Sequence, residues 1–118
     1  MGTFRVEISI GDPQGQRYET VEALVDTGAT YTTVPASLLR RLGVQPSGRA
    51  PFRLADGRLR EYDLGETRAR VDGQSVTTIV VFGDEGIEPL LGAYTLEGLR
   101  LAPDPVGQRL IPVPGLLM

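Results

Sequence analysis

The sequence predicts a mostly β chain with two short helices, and three patterns support this prediction. Apolar and polar residues alternate from Phe4 to Ile10, which is the period of a half-buried strand. An Asp-Gly pair at Asp56-Gly57 lies between two extended segments, as in a hairpin turn. The segment from Ser75 to Phe82 is rich in β-branched residues and therefore favours a largely buried strand.

The first two predicted strands form a hairpin. The alternating strand ends at the turn Gly11 to Gly15, which contains Asp, Pro and two Gly residues. The return strand runs from about Arg17 to Val25 and delivers the chain to Asp26.

A strand and a helix are predicted next. Tyr31 to Val34 is β-branched and polar, and Pro35 suits the first turn of a helix. Gly43 is well placed beyond the C-terminus of that helix. The apolar stripe of the helix consists of Leu38, Leu39 and Leu42.

The middle of the chain is predicted to form a projecting hairpin followed by two more strands. Pro51 to Leu54 and Leu59 to Leu64 flank the turn Ala55-Asp56-Gly57-Arg58. Thr67 to Val71 and Ser75 to Phe82 then flank a second Asp-Gly turn. We expect a second helix from about Tyr94 to Leu99 and a strand-turn-strand tail over Leu101 to Val113.

The composition excludes several kinds of chemistry. The chain of 118 residues contains no His and no Cys, and all twelve of its basic residues are Arg. Without imidazole, thiol or amine side chains, this chain alone cannot form a Ser-His or Cys-His nucleophile, a Schiff base or a His- or Cys-ligated zinc site. Carboxylates and hydroxyls are the side chains left for catalysis.

Length and charge set broader expectations. We expect one domain, residues 1-118, large enough to bury a hydrophobic core. The net charge of −3 argues against a nucleic-acid surface. Neither a secretory h-region nor a long apolar segment is present, and Val6 does not fit the myristoylation pattern, so we expect no membrane partner and a cytoplasmic location.

The most informative motif is Asp26-Thr27-Gly28. An apolar strand that runs into this tripeptide can hold a carboxylate in a partly desolvated turn, and Gly28 allows a second backbone to approach closely. The same three residues are also typical of ordinary turns, so the motif alone is only suggestive. A later segment, Leu90-Leu91-Gly92, also leads from an apolar strand into a helix, and we expect it to support the Asp turn from below.

Together these segments resemble the retropepsin-like, or retroviral-type, aspartic proteases, including their single-domain bacterial members. The resemblance rests on Asp26-Thr27-Gly28-Ala29, on the central hairpin turn Ala55-Asp56-Gly57-Arg58 and on Leu90-Leu91-Gly92, in this order over nearly the whole chain. It implies a closed, mostly antiparallel β-barrel and an aspartic endopeptidase that cleaves extended peptides. It also implies a homodimer, because these enzymes need two facing Asp residues and this chain offers one Asp-Thr-Gly. No metal or cofactor is required.

The resemblance also assigns roles to individual residues. Asp26 is the catalytic residue, Thr27 hydrogen-bonds across the dimer axis, and Gly28 lets the substrate backbone approach. The expected substrate-binding residues are Ala29, the flap tip Ala55, Asp56, Gly57 and Arg58, and the subsite walls Val34 and Leu90. Plain core packing is the alternative for Val34 and Leu90, and an ordinary hairpin turn is the alternative for Asp56-Gly57.

Two departures from the viral pattern keep other functions open. Thr30 stands where many retroviral enzymes carry a substrate-binding acidic residue, and Ala93 stands where many carry an Arg in an intersubunit ionic network. A catalytically inactive dimerisation or peptide-binding module of the same fold is therefore the main alternative. A hydrolase of another bond, such as a glycosidase, would need two unlike carboxylates in one subunit, and no such partner for Asp26 stands out.

Overall fold

A computed structural model describes residues 3–117 and contains nine strands and two helices in that part of the chain. The predicted mostly β class with two short helices is confirmed. In chain order the elements are β1 (Arg5–Gly11), β2 (Tyr18–Val25), β3 (Thr32–Pro35), α1 (Ala36–Arg41), β4 (Gly48–Arg53), β5 (Leu59–Val71), β6 (Gln74–Gly83), β7 (Leu90–Leu91), α2 (Ala93–Leu99), β8 (Leu101–Asp104) and β9 (Arg109–Pro112).

Six of the strands are linked into a ring. The order is β1, β2, β7, β3, β6 and β5, and β5 returns to β1 through the pairs of Ser9 with Arg70 and Ile10 with Ala69. β4 pairs with β5 outside this ring, and β8 with β9 forms a separate two-stranded sheet. The pairings of β2 with β7 and of β3 with β6 are parallel, whereas the other pairings are antiparallel. This arrangement is compatible with the closed, mostly antiparallel barrel that was expected.

The core lies between the ring and the two helices. Alternation in β1 has the predicted effect, because Ile8 and Ile10 are 1% and 0% exposed while Glu7, on the opposite face of the strand, is exposed. Leu39 of α1 and Leu99 of α2 complete the same cluster. Burial of these apolar faces fixes both helices against the sheet.

Helix α1 ends as its sequence predicts and begins at Ala36, one residue later than predicted. Pro35 precedes the first helical residue, and Gly43 adopts a φ of +77° just beyond the end, a conformation that Gly reaches without steric cost. The carboxylate of Glu85 accepts hydrogen bonds from the Ser37 backbone N–H at 2.9 Å and from its hydroxyl at 2.6 Å. These bonds lower the pKa of Glu85 and satisfy a free N–H in the first turn.

The chain from Leu59 to Val71 is one strand rather than the two that the sequence predicted. Its first half pairs with β4, and from Leu64 onward it pairs with β6. Gly65 lies at this change of partner, and a Cβ there would be 3.0 Å from the Gln45 carbonyl oxygen. Gly65 therefore marks a close approach inside a strand, not a turn.

The tail follows its prediction, since β8 and β9 pair antiparallel on either side of a turn. Within residues 3–117, neither helix is long and apolar enough to cross a membrane.

Candidate active site

Asp26 follows directly after β2 in a tight turn. Its backbone N–H donates to the Leu91 carbonyl at 3.0 Å, and its own carbonyl accepts from the Ala29 N–H at 3.1 Å. The Gly28 N–H donates to Asp26 Oδ1 at 2.9 Å. These bonds fix both the backbone and one carboxylate oxygen, while the half-buried side chain stays accessible.

The start of α2 supports the turn from behind. The Ala93 N–H donates to the Ala29 carbonyl at 2.8 Å, and the Tyr94 N–H donates to the Thr30 carbonyl at 2.9 Å. A Cβ on Gly92 would lie 2.5 Å from the carbonyl carbon and oxygen of Tyr31, so only Gly fits here. The expectation that Leu90-Leu91-Gly92 supports the Asp turn is confirmed.

A buried chain of threonine hydroxyls lies beneath this contact. Thr32, Thr78 and Thr95 are each at most 1% exposed. The Oγ1 atom of Thr95 is 2.6 Å from that of Thr32 and 2.8 Å from that of Thr78, and Thr32 Oγ1 accepts from the Gly92 N–H at 3.2 Å. Sequence reasoning missed this network, although Thr32 shares the inward face of β3 with Val34 two residues later.

Asp26 opens onto a cleft of about 670 Å³. The Asp26 turn forms one side, and the β4–β5 hairpin forms another. Of the residues predicted to form the site, the cleft is lined by Asp26, Gly28, Ala29, Ala55 and Leu90. The lining also includes Phe52, Arg53, Leu54 and Tyr62 of the hairpin, Val81 of β6 and Ile87 of the loop between β6 and β7.

Other predicted residues lie elsewhere. Val34 is 0% exposed within the hydrophobic core, so its assignment as a subsite wall is wrong and the alternative of core packing holds. Successive side chains of a strand point to opposite faces. Thr33 lines the cleft, so the side chain of Val34, the next residue in β3, points away from it. Thr27 is exposed and lines a second hollow of about 270 Å³ with Thr3, Phe4 and Pro103.

The tip of the hairpin is exposed and held by its own turn. Leu54 N–H donates to the Arg58 carbonyl at 2.8 Å, and Gly57 has a φ of +88°. The Asp56 carboxylate accepts from the Arg58 backbone N–H at 3.0 Å and from its guanidinium at 2.6 Å. Asp56, Gly57 and Arg58 thus form the predicted hairpin turn without lining the cleft in a single chain.

Aromatic edges and an acidic side chain join the hairpin to the rest of the molecule. The Phe52 ring lies edge-on to Tyr31, with centroids 6.1 Å apart, and it is 6.2 Å from Tyr62. Asp84, after β6, accepts from the Tyr62 hydroxyl and from the Arg60 guanidinium, both at 3.0 Å. Partial burial and the bond to Asp84 raise the pKa of Tyr62.

Comparison with known proteins assigns the chain to a class. A family model described as "gag-polyprotein putative aspartyl protease" matches residues 15–98, which include the Asp26 turn, the hairpin and most of α2. The chain therefore belongs to this retroviral-type aspartyl protease family.

A solved structure agrees with the fold. The chain is similar to the protease of simian foamy virus (mac), known from a solution structure, with a TM-score of 0.52 and 24% sequence identity. The match covers 75% of this chain and 86% of the viral one. No curated protein gives a significant sequence match.

Proposed function

We propose that the chain, as one domain of residues 1–118, is an aspartic endopeptidase that acts as a homodimer with Asp26 as its catalytic residue. One observation carries the proposal: a carboxylate fixed by its turn opens onto a cleft large enough for part of an extended peptide. Membership of the aspartyl protease family supports the same chemistry.

The dimer follows from the number of carboxylates. Among the described residues that line the cleft, Asp26 supplies the only carboxylate. A dyad therefore needs Asp26 from a second copy, and a two-fold axis would bring the two equivalent turns together. Thr27 is exposed beside Asp26 and lines the second hollow with it. Its hydroxyl is therefore accessible for a hydrogen bond to a second copy across that axis.

The proposed mechanism depends on a shared proton. Two carboxylates held about 3 Å apart cannot both ionise near neutral pH, so the pair keeps one proton and titrates as a unit. The ionised member takes a proton from a water molecule lying between them, and the water oxygen attacks the peptide carbonyl. The protonated member hydrogen-bonds the carbonyl oxygen, and a proton then passes to the leaving nitrogen as the C–N bond breaks.

The other site residues position the peptide. Gly28 lets its backbone come close to the dyad, and Ala29 and Leu90 offer apolar surface in the cleft. The hairpin tip, from Ala55 to Arg58, would close over the peptide as a flap and exclude water. The cytoplasmic location expected from the sequence stays a prediction.

The test is Asp26→Asn, measured with a denatured protein or a peptide library at acidic and neutral pH. The Asn side-chain oxygen can still accept from the Gly28 N–H, so the turn should fold normally. We expect cleavage to fall on the order of a thousandfold or more. Asp72→Asn is the matched control, because Asp72 is exposed in the β5–β6 turn and Asn tolerates its φ of +53°.

Unchanged turnover in Asp26→Asn would exclude this mechanism. A non-catalytic peptide-binding module would instead show no cleavage in the wild type and no binding of a pepstatin-type transition-state mimic at any acidic pH. Binding of the mimic that is lost in Asp26→Asn indicates a working dyad.

A further inference from the structure

The cleft contains a positive side chain that has no ion-pair partner among the described residues. Among its described lining residues, the charged side chains are Asp26 and Arg53, and the others are aromatic, aliphatic, small or hydroxyl-bearing. Thr30, also in the lining, is uncharged. No second carboxylate of the lining therefore offsets Arg53.

Arg53 is the last residue of β4 and lies opposite Leu59 of β5. Its Nη1 donates to the Gly57 carbonyl at 2.9 Å, which holds the guanidinium beside the hairpin turn. Because a carbonyl carries no formal charge, this bond positions the guanidinium without neutralising it. No other residue from 3 to 117 accepts a hydrogen bond from this guanidinium, so its remaining N–H groups can bind a ligand oxygen.

In the part of the hairpin where β4 and β5 pair, residues 48–64, the other arginines differ from Arg53 in this respect. Each has a carboxylate partner: Arg49 with Glu61 and Asp63 at 3.1 and 2.8 Å, Arg58 with Asp56 at 2.6 Å, and Arg60 with Asp84 at 3.0 Å. Within residues 3–117, Arg53 has no carboxylate oxygen within 4.0 Å. Among the arginines of residues 48–64, the one without a counter-ion is thus the one that lines the cleft.

We propose that Arg53 is a specificity-determining residue that favours an acidic side chain in the bound peptide. The inference rests on the proposed function, because the ligand is the extended peptide that occupies the cleft. A Glu or Asp side chain can accept two parallel N–H bonds from a guanidinium, which an uncharged side chain cannot match. In a two-fold dimer the preference appears on both sides of the cleaved bond, at symmetry-related positions.

The experiment compares pairs of peptides that differ by Glu or Gln at one position beside a bond that the wild type cleaves. We expect kcat/KM to favour Glu by roughly two- to fivefold at one position on each side, as for an ion pair with an exposed side chain. Arg53→Gln should bring this ratio to about one, and Arg53→Glu should make the enzyme prefer Lys over Gln at the same positions. Arg53→Lys should keep part of the Glu preference.

Arg49→Gln is the matched control. Arg49 lies in the same strand but does not line the cleft, so the Glu-to-Gln ratio should equal that of the wild type. A wild-type ratio of one at every position, or a ratio that Arg53→Gln leaves unchanged, would overturn the proposal.

Binding measurements separate this inference from the proposed function. The dissociation constants of the same peptide pairs are measured for Asp26→Asn and for the double variant Asp26→Asn/Arg53→Gln. This measurement does not require cleavage. Glu-selective binding that depends on Arg53 supports the inference even where the wild type cleaves nothing, and that outcome contradicts the proposed function alone. Cleavage without Glu selectivity contradicts the Arg53 assignment alone.

Discussion

The two sides of the cleft are held in different ways. The Asp26 side rests on backbone hydrogen bonds from β7 and α2 and on a threonine network that is at most 1% exposed. The hairpin side is joined to the rest of the molecule by ring edges and by Asp84, whose ion pair with Arg60 involves side chains that are 50% and 52% exposed. Buried, close-packed contacts position a group accurately, whereas exposed ion pairs constrain a segment only weakly.

This difference matches the roles that we propose. A catalytic carboxylate needs a fixed position relative to its partner and the substrate. A flap must open to admit a peptide and then close over it. Substitutions on the Asp26 side should therefore lower both the stability of the fold and the activity. Substitutions that weaken the attachment of the hairpin should change the mobility of the hairpin more than the stability of the fold.

The largest effect is expected for Gly92→Ala. The added Cβ would lie 2.5 Å from the Tyr31 carbonyl group and 3.0 Å from the Ala29 oxygen, and backbone atoms cannot move aside as a flexible side chain can. We expect the free energy of unfolding to fall by about 3 kcal/mol or more, measured by urea denaturation.

Gly48→Ala is the control for Gly92→Ala. Gly48 lies in β4 with a negative φ, and no neighbouring atom lies within 4 Å of the position that an alanine Cβ would take. The effect of this change should therefore stay within about 0.5 kcal/mol. If the two variants had equal free energies of unfolding, the contact of Gly92 with the backbone of Tyr31 and Ala29 would not be close-packed.

A smaller loss is expected for Thr32→Val. The change keeps the shape of the side chain but removes the acceptor of the Gly92 N–H and the partner of Thr95. Leaving these buried groups unpaired should cost about 1–3 kcal/mol of unfolding free energy. Thr77→Val, at an exposed hydroxyl of β6, should change it by less than about 0.5 kcal/mol; a similar loss in both variants would contradict the role of the network.

The smallest effect on stability is expected for Asp84→Asn. This change weakens the bonds from Arg60 and Tyr62 that join the hairpin to the chain after β6, so amide hydrogen exchange should rise in residues 48–64. The change in unfolding free energy should stay below about 1 kcal/mol. Asp63→Asn breaks a pair inside the hairpin and should leave its attachment intact. Faster exchange in β2 and β7 instead would mean that Asp84 stabilises the Asp26 side.

Local sequence signals predicted much of this arrangement. Alternation identified β1, Pro35 and Gly43 bounded α1, and the Asp-Gly pair located the hairpin turn. Each of these signals lies within a few residues of the structure that it specifies. The Asp26 turn was found in the same way, because an apolar strand runs directly into it.

Features that depend on distant residues were not predicted. The closure of the ring joins Ser9 to Arg70, and the hydroxyl network joins Thr32 to Thr95. The resemblance to retroviral-type proteases predicts Val34 as a subsite wall, yet the pleat of β3 turns this side chain into the core. The direction of a side chain on a short strand is settled by what packs on each face, and single-sequence patterns give little information on that.

Mixing of subunits tests most directly the claim that two copies of Asp26 form one catalytic site. Wild type at a fixed concentration at which it is dimeric is equilibrated with a ninefold excess of Asp26→Asn, and cleavage is measured with substrate in excess over all sites. If the site is shared, activity should fall to about one tenth, because nearly every wild-type subunit then pairs with an inactive one. Activity that stays at the level of the wild type alone would mean that one chain carries a complete site, and it would contradict the account.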